Sequence, residues 1–167
     1  MVIVARGRQG GGTADSNLVV VYAPCGLTGP LNVAIARFRQ AHPEVKLDVV
    51  YDSANVLVRN IRRHHRPDVF ISPGELEIKQ LTDEGFMDGA TIRDFGSLDI
   101  VVYAPSKTRG LNALEDLKKP HIKTISMADP RYNSIGYYGE KALRNLGLWD
   151  GLQSKLRLRE YPLEAVK

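Results

Sequence analysis

Twice near its start the chain follows one rule: an apolar run of β type breaks into a small polar turn, and the turn opens a helix. The runs are Leu18 to Tyr22 and Val45 to Tyr51, and the turns are Ala23-Pro24-Cys25-Gly26-Leu27-Thr28 and Asp52-Ser53-Ala54-Asn55. Runs of this kind, alternating with helices, specify an α/β sheet of parallel strands joined by right-handed crossovers. Two such turns at neighbouring sheet positions can aim unpaired backbone N–H groups and hydroxyls at a single anion. They are the candidate site.

The rest of the chain extends the pattern. Leu18-Val-Val-Val-Tyr22 is continuous and rich in β-branched residues, as expected of a strand covered on both faces. Pro30 suits a first helical turn, and Leu31, Ala34, Ile35, Phe38 and Ala41 fall on one stripe until His42-Pro43 ends the helix. Val45, Leu47, Val49 and Tyr51 alternate as a second strand, after which Ser53 or Asn55 can cap a helix with Leu57, Val58 and Ile61 inward. Pro67 to Ser72 reads as a third strand, and Glu75 to Glu84 as a helix ended by Gly85. Ile100 to Tyr103 reads as a fourth strand, Leu114 to Leu117 as a short helix and Ile122 to Met127 as a fifth strand. A third polar turn, Asp129-Pro-Arg-Tyr-Asn-Ser134, opens a helix to Leu146 with Tyr137, Ala142, Leu143 and Leu146 inward and Gly147 closing it. Leu156 to Leu158 is a sixth strand. The last residues, Glu164 to Lys167, start a helix without a C-cap signal, so the chain reads as cut there.

A chain of 167 residues with 43% apolar and 25% charged residues has the composition of an ordinary folded domain or two small lobes. No apolar run approaches the roughly 20 residues of a membrane span. The net charge of +4 raises the question of nucleic acid, but the only dense basic cluster, Arg59 to Arg66, lies at a helix end, where cations offset the helix dipole. Without an aromatic stacking platform, no nucleic-acid partner is expected. Met1 to Asn17, with Arg6-Gly-Arg8 and Gly10 to Gly12, reads as a flexible lead-in rather than a signal peptide.

Catalytic and metal motifs are sparse. His42, His64, His65 and His121 are scattered, and the adjacent His64 and His65 would point about 100° apart on a helix, so no direct protein ligands to a metal are expected. The sequence has no Gly-x-Ser-x-Gly, no His-Glu-x-x-His and no phosphate loop, and its triple glycine precedes the first strand instead of following it. Cys25 is the only cysteine; it packs as a small apolar residue or acts as a nucleophile if a histidine stands beside it. Ligands of open α/β sheets sit beyond the carboxyl ends of strands, where the polar turns lie. From spacing alone, Thr28, Ser53, Asn55 and Asn133 could equally be helix caps, each contributing about 1 kcal/mol.

A family resemblance narrows this. The ordered set Val19-Val-Val-Tyr-Ala23, Gly26-Leu-Thr28, Phe38 with His42-Pro43, Pro67-Asp-Val-Phe-Ile-Ser72, Val101-Val-Tyr-Ala-Pro105, Asp129-Pro130 and Gly136-Tyr-Tyr-Gly-Glu-Lys-Ala-Leu143 with Leu146-Gly-Leu-Trp149 resembles the molybdate-binding periplasmic proteins of ABC importers. The likeness runs from about Leu18 to the last residue. It implies a periplasmic-binding-protein-like α/β fold, with two lobes of largely parallel sheets flanked by helices and the second lobe incomplete. The corresponding division is a lead-in at 1–17, a first lobe at 18–99, and a crossover strand with a partial second lobe at 100–167.

It also implies no catalysis, no cofactor, and a tetrahedral oxyanion such as molybdate or tungstate held between lobes by hydroxyls and backbone N–H groups. Matching by motif gives Cys25, Gly26 and Thr28 in the first turn, Ser53, Ala54 and Asn55 in the second, and Ser134 and Ile135 in the second lobe, with Pro162 or Leu163 near a fourth contact. Gly26 stands where the family has a serine and offers no hydroxyl. Ser53 or Ala54 falls at the second serine position, Pro162 has no N–H, and Asp52 beside Ser53 would repel an anion if it faced the cleft. The resemblance further implies a monomer, a membrane permease as partner, and a periplasmic or membrane-anchored extracellular location. Two other readings stay open: a binding or sensor protein of this fold for another anion or an organic solute, and a small enzyme with a Cys25 nucleophile.

Overall fold

A computed structural model describes residues 2–5, 17–63 and 67–160. The chain divides into two compact units, Met1–Ser97 and Leu98–Lys167.

The first unit is built on a sheet of strands β1 (Val2–Ala5), β2 (Leu18–Pro24), β3 (Lys46–Asp52), β4 (Val69–Ser72) and β5 (Ile92–Asp94), in the order β3-β2-β4-β1-β5. β2 runs parallel to both β3 and β4, while β1 lies antiparallel between β4 and β5. Helices α1 (Thr28–Ala41), α2 (Ala54–Arg62) and α3 (Glu75–Asp83) join the parallel strands. As its uninterrupted apolar run predicts, β2 is covered on both faces. Tyr22 packs with Phe70 against Leu57, Val58 and Ile61 of α2 and Ile78 and Leu81 of α3. Val21 and Ala23 pack on the other face with Ile71, Leu27 and Leu31.

β4 is short and meets β2 only through Val21↔Val69 and Tyr22↔Phe70. Its alignment is reinforced just outside the strand. The Asp68 N–H donates to the Val20 carbonyl at 2.9 Å, and the Val20 N–H donates back to the Asp68 carboxylate at 2.9 Å.

Three expectations need correction. Val2–Ala5, within the segment read as a flexible lead-in, is a strand; residues 6–16, with the triple glycine, lie outside the described residues. Ile100 to Tyr103 forms no strand, and Val101 and Tyr103 are 78% and 80% exposed. The stripe on α1 is only partly buried. Leu31 packs on the sheet, but Ala34, Phe38 and Ala41 are exposed, because side-chain bonds on the polar edge, Tyr51 to Asn32 and Arg39 to the Leu47 carbonyl, also hold the helix to β3.

In the second unit, β6 (Ile125–Ala128) and β7 (Leu156–Arg159) form a parallel pair. They pack with the helical turn Leu114–Lys118, α4 (Ser134–Asn145) and α5 (Trp149–Leu152) around Leu117, Leu148, Trp149, Leu152 and Leu156. The inward face of α4 differs from expectation: Leu143 packs on this core, whereas Tyr137, Ala142 and Leu146 are exposed. The reason is Gly136. A Cβ there would stand 2.4 Å from the Ala128 carbonyl oxygen, so α4 approaches β6 backbone-first at its N-terminus and rolls its tyrosine outward. Gly85 and Gly147 close α3 and α4 with φ of 75° and 64°, in the left-handed region that a glycine enters without strain.

The basic cluster sits partly at the end of α2 as expected. Arg59 and Arg62 are in its last turn, and Arg62 forms a two-pronged bond with Glu84 at 2.7 and 2.5 Å. His64, His65 and Arg66 lie outside the described residues.

Candidate functional site

The strand register brings the first two turns side by side. The β2–β3 ladder ends at Pro24↔Asp52, so Cys25 and Ser53 leave neighbouring strands at the same level, at the carboxyl ends. Cys25, Gly26, Thr28, Ser53, Ala54 and Asn55 therefore share one edge of the first unit. Both turns open helices long enough to carry a useful dipole, α1 directly after the single turn Cys25–Leu27, and α2 after Ser53.

Both hydroxyls of these turns and the Ser53 N–H have partners within the turns. The Thr28 hydroxyl donates to the Cys25 carbonyl at 2.7 Å. The Ser53 N–H donates to the Asp52 carboxylate at 2.7 Å, and the Ser53 hydroxyl faces the same oxygen at 3.4 Å. Ser53 occupies the cap position of α2 without capping it through its side chain. Asn55 Oδ1 accepts from the Val56 N–H at 3.0 Å. Asp52 thus points its charge into the turn. Cys25 and Gly26 are exposed, Ala54 is buried, and the space around a Cβ at Gly26 is open for 4 Å.

Ser134 and Ile135 belong to the second unit and open α4. Asn133 Oδ1 accepts the Ile135 N–H at 2.8 Å, so Asn133 is a helix cap as its residue type suggests. Asn133 and Ser134 are 2% and 1% exposed, whereas Ile135 is exposed. Pro162 and Leu163 lie outside the described residues.

Two polar features near the turns escaped the sequence reading. Asp129, 4% exposed, accepts the Arg131 N–H at 2.9 Å and grips its guanidinium at 2.6 to 3.2 Å. The guanidinium holds the Asp129 carboxyl below its usual value of 3.8, and the carboxylate raises the pKa of Arg131 in turn. The Asp-x-Arg spacing, compatible with an Asx turn, was the available signal. At the end of β4, the buried Ser72 hydroxyl donates to buried Glu77 at 3.1 Å. A glutamate in the first turn of a helix ordinarily faces water, so nothing in the sequence marked it as buried.

Among the described residues no three His, Cys, Asp or Glu side chains are grouped as a metal set. The two described histidines are engaged away from Cys25: His42 with Glu44 and the Phe38 ring, His121 with the Arg109 carbonyl.

Residues 19–166 match the family described as bacterial extracellular solute-binding protein. The chain belongs to this family. Among relatives of this solute-binding protein, the molybdate-binding protein ModA of Haemophilus influenzae is 25% identical over 86% of the chain and 58% of its own length. The lipoprotein YvgL of Bacillus subtilis is 24% identical over 71% of the chain and 45% of its length. The solute-binding chain thus spans about half the length of these curated relatives. Its fold is shared with the periplasmic molybdate-binding protein of Azotobacter vinelandii, with TM-score 0.59 and 17% identity over 85% of this chain and 62% of that one. A two-component system protein that mediates signal transduction has TM-score 0.56 and 16% identity over 90% and 59%. The family consists of solute-binding proteins.

Proposed function

We propose that the chain is the solute-binding part of an ABC importer for a tetrahedral oxyanion, molybdate or tungstate, taken up in a cleft between two lobes. The observation that carries the reading is the register that ends β2 and β3 together, which puts Cys25, Gly26 and Thr28 beside Ser53, Ala54 and Asn55. In it, the N–H groups of Gly26 and Ala54 and the hydroxyls of Thr28 and Ser53 hold the anion from the first lobe, and Ser134 and Ile135 close from the second. Fixed neutral donors suit a dehydrated anion, each charge-assisted bond contributing roughly 1.5 to 3 kcal/mol. The molybdate named in a relative at 25% identity supports the choice of anion. The working protein is a monomer outside the cytoplasm, and lobe closure presents the surface that a membrane permease reads.

Asp52 favours a second reading. A carboxylate bonded to Ser53 suits a ligand that brings its own hydrogen-bond donor, such as a protonated oxyanion or an organic solute. Calorimetric titration of the full chain with molybdate, tungstate, sulfate and phosphate separates the two. The first reading expects heat with molybdate and tungstate alone. Binding of phosphate alone moves the assignment to the second, and silence toward all four removes the oxyanion from both.

A further inference from the structure

β3 is the last strand of its sheet, and among the described residues no strand pairs with its outer side. One bond tells which of its groups face outward. The Lys46 N–H donates at 2.8 Å to the carbonyl of Asn17, just before β2, so Lys46, Asp48, Val50 and Asp52 turn their backbone groups toward β2. Leu47, Val49 and Tyr51 alternate with them and turn theirs to the open edge. An edge of this kind is a template for another strand.

A side chain already occupies part of this template. Arg39 of α1 donates through Nη2 to the Leu47 carbonyl at 3.0 Å. The bond is not the only anchor of the helix, because Leu31 packs on the sheet and the Tyr51 hydroxyl donates to Asn32 Oδ1 at 2.7 Å. What Arg39 alone does is cover an outward carbonyl.

The strand is also complementary to itself. Two copies of Lys46-Leu-Asp-Val-Val-Tyr-Asp52, laid antiparallel about a two-fold axis at Val49, set Lys46 opposite Asp52, Leu47 opposite Tyr51 and Asp48 opposite Val50. Sliding the copies by two residues faces Asp48 with Asp48 in one direction and Asp48 with Asp52 in the other, and like charges directly opposite destabilise a pair. The charges therefore select one register. In it, Leu47 exchanges backbone bonds with Tyr51 of the second copy at both ends, and Val49 pairs with Val49 at the centre. Each outer pair needs a Leu47 carbonyl, and Arg39 holds that carbonyl in both copies. Only the central pair is left.

We propose that the β3 edge is a docking surface for β3 of a second copy of this chain, and that Arg39 keeps it shut by occupying the Leu47 carbonyl. With the guanidinium in place the chain stays single; without it two sheets join through β3. The inference concerns the first unit alone and does not depend on which ligand the protein takes.

Sedimentation of the full chain, read as mass at one fixed concentration, tests this. Arg39→Met keeps an apolar stem along the sheet and removes the donors, so α1 retains its packing. The expected result is the mass of one chain for the unaltered protein and a doubling for Arg39→Met. In that dimer the amides of Leu47, Val49 and Tyr51 should slow in hydrogen exchange, while those of Asp48 and Val50, turned toward β2, stay unchanged. Adding Val49→Pro should return the mass to one chain. The Val49 N–H faces outward, so this proline removes no bond to β2. Adding Lys46→Glu instead should do the same by setting a carboxylate against Asp52 of the second copy. A monomeric Arg39→Met chain overturns the proposal, and so does a dimer that survives either addition, because its interface then lies elsewhere. Dimerisation of the unaltered chain at the same concentration overturns it too, since Arg39 then guards nothing.

Discussion

At the start of α4 a neutral amide, Asn133 Oδ1, accepts the N–H of Ile135, while at the start of α2 a carboxylate, Asp52, takes the N–H of Ser53. Both turns follow a strand and open a helix, and both satisfy a donor that the helix cannot. They differ in charge and in burial. Asn133 and Ser134 are closed off from water, and the nearby charge of Asp129 is balanced by Arg131. Asp52 is partly exposed and turns its charge toward the helix N-terminus, while Ser53 also remains partly exposed. A buried, neutral cap is a structural fixture; a half-buried carboxylate at a helix start is a charge that, under the proposed function, the ligand has to displace or satisfy. The same local problem therefore has a rigid answer in one unit and a negotiable one in the other.

Breaking the rigid turn should produce the largest effect. Gly136→Ala places a Cβ against the Ala128 carbonyl, and the backbone of β6 cannot yield as a flexible side chain would. The expected loss is about 3 kcal/mol from the second unit. Urea unfolding followed by fluorescence of Trp149, the sole tryptophan and part of that unit's core, would report it. Asn133→Ala comes next. Removing the cap should cost about 1 to 2 kcal/mol by the same readout, and Asn133→Asp should recover most of it.

At the negotiable turn the sign reverses. Under the proposed function, Asp52→Asn removes a charge that repels the anion and should tighten molybdate binding about tenfold, roughly 1.4 kcal/mol, in a calorimetric titration. Weaker binding would mean that Asp52 contributes to the ligand rather than opposing it. Gly26→Ser adds a hydroxyl where the surroundings are open and should tighten binding about fivefold, roughly 1 kcal/mol, with unchanged thermal stability.

The smallest effect is one of pH. Arg131 lowers the pKa of Asp129 in the folded state, so the pair's contribution is complete above the unfolded value near 3.8 and is lost as pH falls through the lower folded value. Below about pH 4 the melting of the second unit should depend more steeply on pH for the unaltered chain than for Asp129→Asn.

The sheet was legible wherever apolar pattern and turn chemistry agreed. The run Leu18–Tyr22 announced a strand covered on two faces, and Gly85 and Gly147 marked helix ends by the conformation they permit. The failures share one cause. Ile100–Tyr103 has the composition of a strand, but a strand also needs a partner in a sheet, and the pattern of one segment does not say whether it has one. The stripe on α4 misled for a related reason, since backbone approach at Gly136, rather than hydrophobic content, decides how that helix rolls. For the candidate turns, residue type identified Thr28, Ser53 and Asn55 as hydrogen-bonding groups. It could not say that Thr28 and Ser53 direct their bonds to the Cys25 carbonyl and the Asp52 carboxylate.

The reciprocal pair of bonds between Val20 and Asp68 has a consequence for how β4 tolerates change. Four residues with two positions paired to β2 specify alignment to that strand poorly, and a shift of one would carry Phe70 out of the core of α2 and α3. Asp68 supplies the missing specification from outside the strand, through a side chain that imitates another rung. Insertions between Pro67 and Val69 should therefore be strongly damaging, because they would dislodge the clasp that tells a short strand where to start.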